Sequence, residues 1–351
     1  MDFGVAVATT TESWKVVKRA EELGFSNAWF YDTQLLNPDV FIGMTMAAMH
    51  TSHIRLGTGV LIPSNRIEPV TANALVTLNK LAPGRIDFGV GTGFTGRRTM
   101  GLKAITLNRM RAYIERVQQL VLGETVTWDF EGETREIGFL NPEFGLINTE
   151  DPIPLHISAF GRRSRALTAE LGAGWLNFGS AASVAFGSLE KMRGAWAQAG
   201  RAPGDLYSTL FALGCVLRPG EDAGSARAKA QAGTSVAVFL HDMAETSEPG
   251  AMEAVMGKPV SDLIEAYREI YLGYPEHRRH LLNHKGHLMF LKPEEQHLIV
   301  PELIESMTFT GEKEALQERV RALAEAGYDQ FVVQIVEGQE AALEDWAEVF
   351  F

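Results

Sequence analysis

A helix that ends at glycine and leads directly into an apolar strand occurs three times in this chain, and this repeat constrains the fold most. The first copy ends at Gly24 and continues as FSNAWFY, the second ends at Gly172 before WLNF, and the third ends at Gly327 before YDQFVVQIV. Glycine readily takes the left-handed conformation that closes a helix. Three copies spread along the whole chain indicate a repeated αβ unit.

Further apolar runs between these copies bring the number of predicted strands to eight. They begin near residues 2, 26, 54, 85, 153, 174, 207 and 329, and each is followed by helical sequence. Eight βα units predict a single TIM (β/α)8 barrel domain, residues 1–351, with insertions. A doubly wound sheet is the alternative, but it usually has fewer strands, and the glycines at 89, 91 and 93 lack the spacing of a dinucleotide fingerprint.

Two stretches interrupt the repeat. Residues 123–151 are rich in Thr, Glu and Gly and are predicted to form a small β-like excursion. Residues 244–300, in the longest insertion, lie between the seventh and eighth strands and contain five of the nine histidines. Because ligands bind at the carboxyl ends of barrel strands, an insertion at this point is predicted to form a lid over the site.

Composition narrows the classes of partner. A formal net charge of −12 argues against nucleic acid and anionic membranes, which need a basic face. The N-terminal residues do not resemble a secretory signal, and no apolar run is long enough to span a bilayer, so a cytoplasmic enzyme is expected. The single cysteine, Cys215, lies in an apolar run and is predicted to be a buried structural thiol.

The stretch RIDFGVGTGFTGRRTMG, residues 85–101, runs from a buried strand into a glycine-rich turn. Glycines at the end of a barrel strand allow a ligand to approach the backbone, so this turn is predicted to form one wall of a cofactor site. Arg97 and Arg98 follow in the same turn. Their guanidinium groups either bind a carboxylate or phosphate of the substrate or form a solvent-exposed pair.

A second candidate is SAFGRRS, residues 158–164, at the exit of the fifth strand. Gly161 precedes a predicted helix, and Arg162, Arg163 and Ser164 add cationic and hydroxyl donors. Backbone N–H groups at a helix N-terminus attract anions, so the turn is predicted to bind a phosphate. The alternative is that the arginines only solvate the helix.

The histidines at 277, 280, 284 and 287 are spaced to share one face of a helix. No metal site is predicted, because the expected chemistry needs none. His284 and His287 are instead predicted to be catalytic acid–base or substrate-binding groups, since imidazole titrates near neutral pH. A solvated basic lid is the alternative. His156, within a strand, is predicted to be a core or cofactor-adjacent residue and not a catalyst.

Taken together, these residues resemble the bacterial luciferase-like superfamily of flavin- or coenzyme F420-dependent TIM-barrel oxidoreductases, including methylenetetrahydromethanopterin reductases. The resemblance covers the whole chain. It rests on GTGVLIP at 57–63, PVTANALVTL at 69–78, PGR at 83–85, GVGTG at 89–93, PLHISAFG at 154–161 and the closing segment 311–336.

The resemblance implies that reduced FMN or F420 lies across the barrel mouth. Its ring would contact the ends of the second, third and fourth strands, which map to Asp32, Thr58, Gly59, Gly91, Thr92 and Gly93. The phosphate end would contact Ser158, Ala159, Phe160, Gly161, Arg162, Arg163 and Ser164. Asp32 is also predicted to be catalytic, although it could simply cap the following loop. Many family members have a histidine beside this acidic residue, whereas this chain has Thr33.

The leading functional hypothesis is a monooxygenase that uses reduced FMN and O2 on a small organic substrate, with a separate flavin reductase as a partner. The alternative keeps the barrel and uses F420 for hydride transfer. A third hypothesis is a flavin-binding protein without catalysis. A homodimer is expected from the resemblance.

Overall fold

A closed barrel of eight parallel strands is the centre of the computed structural model, which describes residues 1–179 and 182–351. The strands, in chain order, are β1 (Asp2–Val7), β2 (Asn27–Phe30), β3 (Arg55–Thr58), β4 (Ile86–Val90), β5 (Val126–Phe130), β6 (Glu133–Ile137), β7 (Leu155–Ser158), β8 (Gly174–Phe178), β9 (Ser208–Ala212), β10 (Val216–Leu217), β11 (Gly311–Glu312) and β12 (Gln330–Ile335). Going around the barrel, the strand order is β1-β12-β9-β8-β7-β4-β3-β2, and every pairing is parallel. The predicted (β/α)8 barrel is confirmed.

Helices follow the barrel strands and surround them. They are α1 (Ser13–Leu23), α2 (Val40–His50), α3 (Glu68–Leu81), α4 (Phe94–Arg98), α5 (Leu107–Val121), α6 (Arg162–Leu171), α7 (Ala182–Gln198), α8 (Ala226–Ala228), α9 (Thr234–Thr246), α10 (Glu253–Met256), α11 (Lys258–Gly273), α12 (Arg279–His284), α13 (Pro301–Met307), α14 (Lys313–Ala326) and α15 (Ala342–Phe350). Helices α1, α6 and α14 end at Gly24, Gly172 and Gly327, each left-handed, as the repeat predicts.

The barrel interior is filled by one large side chain and its neighbours. Trp29 of β2 packs with Leu176, Phe211 and Val332, which come from three other barrel strands, so this cluster occupies the inside of the barrel. A Cβ at Gly57 would lie 2.5 Å from the Trp29 ring. Glycine on β3 is therefore required by the packing of the core at this level.

Two predicted strands are shorter than expected. The run at 54–62 is a strand only over Arg55–Thr58, and the chain then turns so that Leu61 bridges to Val90. The run at 206–217 divides into β9 in the barrel and β10, which pairs with β11 outside it. Between β9 and β10, the carbonyl of Leu213 accepts a hydrogen bond from the N–H of Phe309 at 2.9 Å. Phe309 lies where the chain returns from the insertion, so the two strands separate at this point.

Both irregular stretches of the sequence form compact structure. Residues 123–151 contain the antiparallel hairpin of β5 and β6. The insertion before β12 is mostly helical and begins well before residue 244, at α8 and α9, which a π-helical stretch, Lys229–Gly233, joins. It has its own apolar core, which includes Val236, Leu240, Ile264, Tyr267 and Ile304. Cys215 is buried within this core, and burial raises the pKa of its thiol to about 11.

Candidate active site

A cavity of about 630 Å³ lies where the carboxyl ends of the barrel strands meet the insertion. Its volume is within the ordinary range for small-molecule and cofactor sites. The barrel lines it with residues at or just after the carboxyl ends of β2, β3, β4, β7, β8 and β9. The insertion lines it with Ser235, Val238, Phe239, Asp242, His287, Leu288 and Met307.

The predicted glycine wall is part of this cavity. Gly59, Gly91, Thr92 and Gly93 all line it. A Cβ at Gly91 would lie 2.7 Å from Cγ2 of Val60, which lines the same cavity. The structure therefore assigns a further role to Gly91: it makes room for Val60, which the turn after β3 brings to the cavity surface.

Asp32 lies at the end of β2 and lines the cavity, but its carboxylate is already bound by protein groups. Arg66 Nη1 lies 3.0 Å from both carboxylate oxygens, and the N–H of Ile62 and the side chain of Asn65 each donate at 3.2 Å. Burial raises the pKa of Asp32, and the guanidinium of Arg66 opposes this shift. With these donors in place, Asp32 fixes the position of the turn that carries Val60.

Thr58 and Ala159, two of the predicted cofactor contacts, lie outside the cavity lining. The hydroxyl of Thr58 is fully buried and donates to the carbonyl of Gly89 at 2.7 Å. Ala159 is also buried, and its carbonyl accepts from Nε1 of Trp175 at 2.8 Å. Because the side chain of every second residue points away from the barrel interior, these residues alternate with the lining residues Gly59, Ser158 and Phe160.

The predicted phosphate turn lies at the edge of the cavity. Ser158 and Phe160 line the cavity, whereas Gly161, Arg162, Arg163 and Ser164 do not. Gly161 precedes the ten-residue helix α6, and its N–H donates to Oγ of Ser164 at 3.1 Å. Both arginines are exposed in the first turn of α6, beside Phe160. An anion bound here would lie outside the enclosed space.

The two neighbouring arginines of the β4 turn have different surroundings. Arg98 Nη1 lies 2.7 Å from Asp242 and 3.7 Å from Glu245, and its guanidinium lies 3.6 Å from the centre of the Phe94 ring. Arg97 donates from Nε to the carbonyl of Lys103. Neither arginine lines the cavity, so the structure does not bring them to the predicted substrate site. Arg98 instead joins the β4 turn to helix α9.

The two predicted catalytic histidines are also separated by the structure. His287 lines the cavity, and its Nδ1 is buried with no hydrogen-bond partner in the described part of the chain. Burial lowers the pKa of His287 well below its ordinary value, and His284 and His241 add to this shift. His284 is buried behind it, with Nε2 3.3 Å from Glu245, and does not line the cavity.

Helix α9 supplies the lining residues that the sequence analysis missed. Ser235, Val238, Phe239 and Asp242 are spaced by three, four and seven residues, so they share one face of the helix, and this face covers the cavity. The lid predicted from the sequence starts at residue 244, after this face. The pattern in TSVAVFLHDMAET, apolar on one side and ending in Asp242, was the signal that could have identified it.

Three further observations concern possible metal ligands, membrane-spanning helices and His156. Within residues 1–179 and 182–351, no three His, Cys, Asp or Glu side chains are grouped closely enough to hold a metal ion. None of the helices in this part of the chain combines the length and hydropathy needed to cross a membrane. His156 lies low in the barrel, with Nε2 3.5 Å from Asp87, and is buried as predicted.

Two archaeal proteins are similar in sequence. A 5,10-methylenetetrahydromethanopterin reductase of Archaeoglobus fulgidus is 32% identical over 186 residues, which is 50% of this chain and 52% of the relative. A protein of the same name from Methanolobus tindarius is 28% identical over 66% of this chain and 69% of its own length. The chain thus spans between half and about two-thirds of the length of these relatives.

Solved structures share the whole fold. A coenzyme F420-dependent tetrahydromethanopterin reductase from Methanopyrus kandleri superposes with a TM-score of 0.73 at 20% identity, covering 99% of this chain and 97% of that protein. The oxygenating constituent of 3,6-diketocamphane monooxygenase from Pseudomonas putida, in complex with FMN, gives 0.64 at 13% identity, covering 100% and 96%. The model of the luciferase-like monooxygenase family matches residues 8–330, and the chain therefore belongs to this family.

Proposed function

We propose that this protein is an oxidoreductase that uses coenzyme F420 to transfer a hydride to or from a small organic substrate in the cavity at the barrel mouth. The observation that supports F420 most directly is the set of curated relatives. They include two methylenetetrahydromethanopterin reductases, an F420-dependent glucose-6-phosphate dehydrogenase of Kineococcus radiotolerans and an F420-dependent hydroxymycolic acid dehydrogenase of Mycobacterium tuberculosis. This reverses the order of the two cofactor hypotheses drawn from the sequence.

The residues around the cavity fit a flavin-like ring. The floor combines Val60 with Gly59 and Gly91, which have no side chain to obstruct a flat ring, and aromatic side chains such as Phe178 and Phe211 enclose the space. These two phenylalanines stack at 4.6 Å between ring centres. F420, when bound, supplies the carbon that accepts or gives the hydride. The N-terminus of α6 with Arg162 and Arg163 is the proposed binding site for its phosphate.

His287 is the proposed proton-handling group. Its lowered pKa keeps the imidazole neutral at pH 7, so one ring nitrogen can accept a proton and the other can donate one. Because Nδ1 is buried without a partner in the described residues, Nε2 is the nitrogen that can reach a ligand in the cavity. Nε2 is placed to exchange a proton with a hydroxyl or carbonyl oxygen of the substrate.

Asp32 has a positioning role in this proposal. Its carboxylate is bound by Arg66 and by the N–H of Ile62, so it holds the turn after β3 against the end of β2. That turn carries Val60 to the cavity floor. The chemistry is therefore assigned to the cofactor and His287, and the shape of the site to Asp32.

The monooxygenase with reduced FMN stays the second candidate function. It is favoured by the family description and by the fold shared with an FMN-bound monooxygenase. For that function a separate flavin reductase would be a partner. The homodimer and the cytoplasmic location expected from the sequence stay predictions.

Titration of the purified protein with F420 and FMN, in both redox states, separates these functions. Quenching of F420 fluorescence with an affinity tighter than about 1 mM, together with hydride transfer in the absence of O2, is the expected result. Binding of reduced FMN with consumption of O2 would favour the monooxygenase instead. Binding of neither cofactor at about 1 mM would reject both.

The phosphate assignment has its own test. Arg162→Ala is expected to weaken F420 binding by about 1.5–3 kcal/mol, the range for a hydrogen bond to a charged group. Arg109→Ala, which removes an exposed arginine on α5, is the matched control and should leave the affinity unchanged. Unchanged affinity in Arg162→Ala would place the phosphate elsewhere.

A further inference from the structure

Among the described residues, the cavity lining contains carboxylates but no lysine or arginine. Asp32, Asp242 and His287 are the only Asp, Glu, His, Lys or Arg residues among the described residues that line it. Asp32 and Asp242 carry negative charge, and His287 is neutral at pH 7 because burial lowers its pKa. An anionic group entering this space would therefore meet no free counter-charge.

The guanidinium groups that contact the lining aspartates are already paired within the protein. Arg66 contacts Asp32 at 3.0 Å and also Asp39. Arg98 contacts Asp242 at 2.7 Å and stacks on Phe94. Both arginines compensate the carboxylates that line the cavity, so neither is available to a ligand without leaving an aspartate unpaired.

The remaining lining is apolar on both the barrel and the insertion side. The face of α9 presents Val238 and Phe239 towards the cavity, and Met307 of α13 lines it too. Phe178 and Phe211 line the barrel side. Burial of apolar substrate surface against these walls is favourable. A charged group that enters the cavity loses its hydration and finds no opposite charge there, so its burial is unfavourable.

We propose that the part of the substrate that enters this cavity is uncharged and apolar, with one hydroxyl or carbonyl oxygen that faces His287. Sugar phosphates and carboxylic acids are excluded, in contrast to what the names of the glucose-6-phosphate dehydrogenase relatives imply for those proteins. This substrate class belongs to the cavity described under Proposed function. Binding depends only on the cavity lining, whereas the reaction that follows binding rests on the proposed function.

Calorimetric titration with two compounds of the same apolar body tests the proposal. The probes are 4-phenylcyclohexanol and 4-phenylcyclohexanecarboxylate at pH 7.5, added to the purified full chain with and without F420. The alcohol is expected to bind at least about tenfold more tightly than the carboxylate, a difference of about 1.4 kcal/mol. Equal affinities, tighter binding of the carboxylate, or no measurable binding of either compound would overturn the proposal.

Two lysine substitutions on the same helix provide a second, independent test. Ser235→Lys places a cation on the cavity face of α9, two turns from Asp242, and is expected to reduce or reverse the preference for the alcohol. Thr246→Lys adds the same charge at an exposed position of α9 that does not line the cavity, and should keep the wild-type preference. A shift of the preference in Thr246→Lys as large as in Ser235→Lys would overturn the assignment.

These titrations are independent of turnover. Failure of the protein to bind F420, with the alcohol preference intact, would reject the proposed function and keep the substrate class. Binding of F420 with a preference for the carboxylate would keep the proposed function and reject the substrate class.

Discussion

Arg66 Nη1 lies 3.0 Å from each carboxylate oxygen of Asp32, and this pair joins the end of β2 to the turn after β3. The side chain of Asp32 is 3% exposed and that of Arg66 is 15% exposed, so the pair is largely removed from water. An ion pair in such surroundings contributes little relative to an apolar pair, but removal of one partner leaves the other charge buried.

Arg66→Met is therefore expected to lower the free energy of unfolding by about 2–4 kcal/mol. The loss is somewhat smaller than for a fully buried pair, because the carboxylate of Asp32 still accepts a hydrogen bond from the N–H of Ile62. Urea unfolding measures this change. Lys313→Met, which removes one partner of the exposed pair with Glu348, is the control and should cost less than about 1 kcal/mol. Losses of equal size in the two variants would contradict a special role for Arg66.

Gly91→Ala tests the contact between the glycine wall and Val60. The added Cβ would lie 2.7 Å from Cγ2 of Val60, so Val60 must shift towards the cavity. Overpacking of this kind costs about 1–3 kcal/mol, and we expect a decrease of about tenfold in cofactor affinity, measured by fluorescence titration.

The control for Gly91→Ala is Gly194→Ala within α7, where no heavy atom lies within 4 Å of the new Cβ. Alanine at an unobstructed helical position stabilises the fold by about 0.5–1 kcal/mol and should not affect the cofactor. Wild-type cofactor affinity in Gly91→Ala would mean that Val60 does not contact the bound ring.

The barrel was predictable from the sequence because βα units have signals in their local sequence. Gly24, Gly172 and Gly327 mark helix ends, and apolar runs mark strands that are buried on both faces. The end of β3 was not predictable to the residue, since its apolar pattern continues through Leu61 while the backbone has already left the barrel ladder.

The site was only partly predictable, for a different physical reason. Asp32, Gly91 and His287 were identified because their position in the chain places them near strand ends or in the insertion. The partner of Asp32 could not be identified, since Arg66 lies 34 residues later and the contact depends on the path of the turn after β3. Likewise nothing local distinguishes Arg97 from Arg98, and only the position of Asp242 on α9 decides which one is paired.

His287→Gln and His284→Gln are expected to differ in kcat. His287 lines the cavity, so its loss should lower kcat by about 10²–10⁴-fold, the usual contribution of a general acid or base. His284 lies behind it against Glu245, so its loss should lower kcat by less than about tenfold. Steady-state kinetics with saturating cofactor give the comparison, and effects of equal size on kcat would contradict the distinction between His287 and His284.

Arg98→Ala and Arg97→Ala form a matched pair in the β4 turn. Loss of Arg98 leaves Asp242 without its 2.7 Å partner and releases α9 from the turn, so KM is expected to rise about tenfold, equivalent to about 1.4 kcal/mol. The side chain of Arg97 hydrogen-bonds the carbonyl of Lys103 and forms no pair with a carboxylate among the described residues, so its loss should have little effect on KM. A rise in KM for Arg97→Ala but not for Arg98→Ala would show that Arg97, and not Arg98, supports substrate binding.

Stability is expected to fall as the pH decreases below the ordinary histidine pKa of about 6.5. Burial lowers the pKa of His241 and, more strongly, of His287, so below pH 6.5 the unfolded chain takes up protons that the folded protein does not. Each such histidine lowers the free energy of unfolding by up to about 1.4 kcal/mol per pH unit, until the pH reaches the folded pKa.

Urea unfolding at pH values from 7.5 to 5.2 should show a shallower decrease in His287→Gln than in the wild type. Met307→Leu, which changes another lining residue without a titratable group, should keep the wild-type slope. An unchanged slope in His287→Gln would mean that folding does not lower the pKa of this imidazole, which would contradict the neutral state on which its proposed role depends.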